Sequence, residues 1–155
     1  MPAEWLSAES PMIMAIRAFL DVALGPAEPD MAALADSLDT LAVTYYATPT
    51  GAPSKEDFEP PAPAYKTKRS ELKSRFPMLG FYAADPSGGS GEKVAIGDAI
   101  DDIVDIANDL IEIVWRWYTL GADDAHWHFR LGYQGHWGPH LHELRTCLRA
   151  GLFYK

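Results

Sequence analysis

Residues 97–110, GDAIDDIVDIANDL, constrain the fold of this chain more than any other stretch. At about 100° per residue, Asp98, Asp101, Asp102, Asp105 and Asp109 fall within an arc of roughly 100°. Ile96, Ile100, Ile103, Ile106, Ala107, Leu110, Ile113, Val114 and Trp117 cover most of the opposite side. The pattern predicts one long amphipathic helix from about Val94 to Leu120, stopped by Gly121. Its wet face is unusual in being built from aspartate. Each interior Asp costs about half a kcal/mol against Ala, and exposed like charges one turn apart repel by a few tenths of a kcal/mol. A cation, or basic side chains from a neighbouring helix, would offset that cost.

The rest of the chain reads as further helices. Ser10-Pro11 opens a helix to Leu24, and Gly25-Pro26 ends it. Asp30 caps a second, with Leu34, Leu38 and Leu41 on its apolar side, closed by Thr48-Pro49. Residues 49–63 hold five prolines and read as a surface loop. A third helix is expected from about Thr67 to Phe81, kinked or broken at Pro77. Its first part is basic, with Lys66, Lys68, Arg69, Lys73 and Arg75 against Glu71 alone. Asp85 to Lys93 is glycine-rich and reads as a flexible linker. Asp123 or Asp124 is expected to start the next helix. Residues 126–153 form two helices or one bent one, with a stripe of Leu141, Leu144, Leu148 and Leu152. No strand-like alternation persists. The fold class is all-α: a single domain over residues 1–155, a bundle of five or six helices, with flexible loops near 49–64 and 85–93.

Composition narrows the function. With 48% apolar residues in 155, the chain has enough material for a packed core. A net charge of −9 argues against nucleic acid or an anionic membrane surface as partner. The single cysteine, Cys147, excludes an internal disulfide and suits a cytoplasmic location. The apolar run from Pro11 to Leu24 is interrupted by Arg17 and Asp21, so it reads as an amphipathic helix and not as a signal or membrane segment.

Two blocks carry a resemblance. One is GDAIDDIVDIANDL. The other runs from Asp124 to Arg145, with Trp127, Phe129 and Arg130, then His136-Trp137-Gly138-Pro139-His140, then Leu144-Arg145. Together they resemble a bacterial family known as a domain of unknown function. The resemblance covers the C-terminal half best. It implies a helical, soluble bacterial protein and carries over no catalytic role.

The aspartate stripe admits two readings. Carboxylates one helical turn apart can share a hard cation such as Mg²⁺ or Mn²⁺, and Asp98, Asp102, Asp105 and Asp109 have that spacing, with Asp36 and Asp39 as a second pair. Alternatively, Lys66 to Arg75, with Arg130, Arg145 and Arg149, neutralises the stripe without a metal. All five histidines lie between His126 and His142. His136 and His140 are four apart, as in helical zinc sites, although Gly138-Pro139 lies between them. A third ligand would come from elsewhere, for instance the stripe. Trp127 and Trp137 with these histidines are candidates for lining a binding pocket, or for core packing. The first expectation is therefore a binding or regulatory module for a small molecule or protein, with a homo-oligomer open to it. The second is a divalent-metal-dependent hydrolase of a phosphate ester or nucleotide, with Asp98, Asp102 and Asp105 on the ion and His136 or His140 as acid or base.

Overall fold

The computed structural model describes residues 10–83 and 96–150. Among them are six helices and one small β-ribbon. In chain order these are α1 (Pro11–Leu24), α2 (Met31–Ala47), α3 (Tyr65–Arg75), β1 (Phe81–Ala83), β2 (Ile96–Asp98), α4 (Ala99–Thr119), α5 (Ala122–Gly135) and α6 (Trp137–Ala150). The helical-bundle expectation holds. The expected linker at 85–93, the start of the acidic helix at Val94 and Leu152 lie outside the described residues.

Local chemistry sets the boundaries. The Asp30 carboxylate accepts from the backbone N–H of Ala32 at 2.9 Å and of Ala33 at 3.2 Å, which caps α2. Pro11 occupies the first turn of α1, where its missing N–H is not needed. The third helix starts two residues earlier than its pattern indicates and stops at Arg75, short of the expected Phe81. The cause is Pro77, which excludes the residue before it from the helical region; Phe76 sits at φ −122°, ψ 65°. The chain then enters β1, which pairs antiparallel with β2 through Phe81 opposite Asp98, Tyr82 opposite Gly97 and Ala83 opposite Ile96. Three-residue strands are too short for an alternating pattern to announce them.

That ribbon moves the start of the acidic helix. Asp98 is the cap of α4 rather than an interior residue, and its Oδ1 accepts from Ile100 N at 3.0 Å and Asp101 N at 3.4 Å. Gly121, at φ +103°, precedes α5, and Asp123 and Asp124 fall in its first turn instead of capping it. The C-terminal region resolves into two helices meeting at His136. Pro139 lies in the first turn of α6, so it does not break a helix between His136 and His140. Residues 49–64 carry no regular structure. They are tied to α5 by Ala52 N to Asp123 O (3.1 Å) and Ser54 N to Asp124 Oδ1 (2.8 Å).

The long helix α4 is the hub, packing against α1, α3, α5 and α6. Ile103, Val104, Ile106, Ala107 and Leu110 are fully buried on it. None of the described helices is long and apolar enough to cross a membrane.

Ile103→Ala should destabilise the fold by about 2–5 kcal/mol through the cavity it leaves. Val43→Ala, at a position 71% exposed, should change stability by no more than about 0.5 kcal/mol; urea unfolding of both checks this. Burial lowers the pKa of His126, which packs edge-on against Trp117. The unfolded chain therefore takes up that proton first as the pH falls below the ordinary 6.5 of a histidine. The stability that neutral His126 contributes is present above this range and lost below it. An NMR titration should place its midpoint below 6.5, and His126→Gln should remove that part of the acid-side loss of stability.

Candidate metal centre

The aspartate stripe is met by two different kinds of positive group. At its start, Arg69 of α3 reaches Asp98 Oδ2 with Nη2 at 2.8 Å and Asp101 Oδ1 with Nε at 3.0 Å. Tyr65 also donates its hydroxyl to Asp101 Oδ1 at 2.6 Å. That bond, reinforced by partial burial and the charges of Asp101 and Asp105, pushes the phenol up to about 12. Three other arginines are engaged elsewhere. Arg130 donates to the carbonyls of Tyr45 and Thr48, Arg145 pairs with Asp39, and Arg116 bridges Glu112 and Asp124.

Further along α4 the partners are histidines. Asp102 is 4% exposed, so its carboxylate must be well bonded to be tolerated. Tyr82, itself buried, donates its hydroxyl to Asp102 Oδ2. His140 Nδ1 lies 2.8 Å from Asp102 Oδ1. A carboxylate can only accept, so Nδ1 carries the proton. Two turns on along α4, His136 Nδ1 stands 2.5 Å from Asp109 Oδ2 in the same manner. Each imidazole is thus held at Nδ1 by its own carboxylate, which leaves Nε2 facing outward.

What those outward nitrogens meet defines the site. His140 Nε2 is 3.5 Å from Asp105 Oδ2. Ligand atoms of Asp105, His136 and His140 all lie within 4.8 Å of one another. With Nδ1 protonated, a neutral His140 would point its Nε2 lone pair at a carboxylate oxygen, a repulsive arrangement unless a proton or a cation sits between them. A direct charge-assisted hydrogen bond would close to about 2.7–2.9 Å. Two donors each about 2.1 Å from one tetrahedral ion stand about 3.4 Å apart, which is close to the spacing found. The bond to Asp102 raises the pKa of His140 against the opposing effect of burial. Burial raises those of Asp105 and Asp109. A metal ion bound here would compete with protons for these groups.

The fold places these groups through close backbone approaches. A Cβ on Gly138 would lie 1.9 Å from the carbonyl oxygen of Tyr133, so only glycine lets α6 begin this near α5. Trp137 is fully buried against Phe129 and Tyr133 at ring separations of 4.9 and 5.1 Å, and anchors the turn that carries His136. On the other flank, the Tyr82 ring would overlap a Cβ on Gly97, so glycine there lets Tyr82 reach Asp102.

Of the residues singled out from sequence, Asp105, His136 and His140 come together as donors, with Asp102 and Asp109 behind the two imidazoles. Asp98 stands apart as a helix cap paired with Arg69. Trp137 supports the site from the core, and half-buried Trp127 packs edge-on against His128. Asp36 and Asp39 supply no second carboxylate pair to this cluster; Asp39 is held by Arg145. Tyr82 carried no sequence signal, because its role depends on the ribbon.

Compared with known proteins, the chain matches no family model and no curated protein. It is similar in structure to the crystal structure of protein BF1032 from Bacteroides fragilis, at 16% identity and a TM-score of 0.64, over 90% of this chain and 91% of that one. That likeness shows the fold alone.

Arg69→Ala should lower stability by about 1 kcal/mol or less, because the pair is partly exposed and screened. The difference from the parent should shrink in 1 M NaCl, as thermal unfolding at two salt concentrations would reveal.

Proposed function

We propose that this protein is a divalent-metal-dependent hydrolase whose ion is held by Asp105, His136 and His140. The observation that carries the reading is the 3.5 Å spacing between His140 Nε2 and Asp105 Oδ2, with His136 in the same group and both imidazoles fixed at Nδ1. Carboxylates behind metal-binding histidines are the usual way to set the tautomer and raise ligand basicity. Two imidazoles and one carboxylate suit Zn²⁺ and related borderline ions better than the Mg²⁺ or Mn²⁺ that the stripe alone suggests. Three protein ligands leave a position for water, as in catalytic zinc sites, whereas structural sites close with a fourth. Such an ion would acidify that water, which would add to an electrophilic carbonyl or phosphorus as the leaving group departs with a proton. Asp102 and Asp109 would orient the two histidines, and Tyr82 would hold Asp102.

A second reading, a binding module without catalysis, has one observation in its favour: all five aspartates of the stripe already have protein partners.

Titration with Co²⁺ should give one equivalent bound and the visible spectrum of a tetrahedral or five-coordinate ion. Asp105→Asn and His136→Ala should abolish it with circular dichroism unchanged, and His140→Ala should abolish it while also lowering stability, because it leaves the buried Asp102 carboxylate short of a partner. Asp102→Asn should weaken binding by about 10–100-fold. A spectrum unaffected by all three ligand substitutions would remove the reading.

A further inference from the structure

Beside the metal centre lies a cleft of about 340 Å³ between α4, α5 and the start of α6. Ligand sites fall between about 300 and 1,000 Å³, so this one suits a small molecule. Its walls are Ile113, Leu131, Gly132 and Trp137, and it shares His136 and Asp109 with the metal centre. Its remaining charged lining is one-signed: Asp109 and Glu112 are acidic, and no lysine or arginine lines it. Asp109 uses only Oδ2 on His136, and among the described residues its Oδ1 has no partner. Glu112 already carries Arg116, and His128 is turned onto the Asp124 carbonyl. Asp109 is therefore the group left to receive a ligand.

We infer that this cleft binds the body of a small apolar primary amine, with its ammonium on Asp109 and its far end directed past His136 to the metal. The inference rests on the metal reading only for that last clause; the cleft and its charge stand without it. The unpartnered oxygen of Asp109 repels an anionic body.

Gly135 gives a clean way to test this. It lines the cleft, a Cβ built there meets nothing within 4 Å, and its backbone is not in the left-handed region. Gly135→Leu therefore adds bulk at an open position of the cleft, and Leu131→Trp, at a half-exposed position, adds it independently. The probes are 2-phenylethylamine and its isosteric acid, 3-phenylpropionate, followed by ligand-observed NMR on the apo protein and on the Co²⁺-loaded protein. The expected result is amine binding at least tenfold tighter than the acid, and at least tenfold weaker in both filled variants, whose Co²⁺ spectra persist. Equal binding of amine and acid, or amine binding unchanged by both variants, would overturn the inference. Amine binding that follows this pattern in a protein that takes up no Co²⁺ would support the cleft and overturn the metal reading instead.

Discussion

The structure depends on one buried carboxylate, Asp102. A carboxylate at 4% exposure is tolerated only when its oxygens are bonded, because moving it from water otherwise costs several kcal/mol. Tyr82 takes one oxygen and His140 the other. Those two bonds join three separate pieces of chain: the β-ribbon, the central helix and the last helix. They also set the plane of the His140 ring, and with it the direction of Nε2 toward Asp105. The fold and the proposed chemistry thus share a single constraint.

The two ends of the stripe differ in kind. Arg69 keeps its charge at any working pH, so Asp98 and Asp101 are neutralised permanently and serve the fold. Histidine can release its proton to solvent when a metal ion binds. The three aspartates facing histidines are therefore the exchangeable part. Asp109 has a double place in this scheme, orienting His136 on one side and facing the apolar cleft on the other.

Much of this was legible in the residues. Helical periodicity placed α1 and α2 closely, because Ser10-Pro11, Asp30 and Thr48-Pro49 mark their ends locally. The stripe also announced that something positive must meet it. The kind of partner was not legible, since it depends on which helices lie beside α4. Pro139 was misleading: it resembles a break between His136 and His140 until one knows that α6 begins at Trp137, where proline is harmless. Asp98 reads as a stripe member by angle but acts as a cap, because Ile96–Asp98 is a strand paired with a segment 15 residues away in sequence. Tyr82 was invisible for the same reason.

The most direct measurement is anomalous diffraction at the zinc edge from crystals grown with Zn²⁺. A single strong peak should lie about 2.0–2.2 Å from Nε2 of His136, Nε2 of His140 and a carboxylate oxygen of Asp105, with Asp102 and Asp109 still bonded to the two Nδ1 atoms. A structure with no peak between these side chains, and with His140 closed onto Asp105 in a direct hydrogen bond shorter than about 3 Å, would contradict the account.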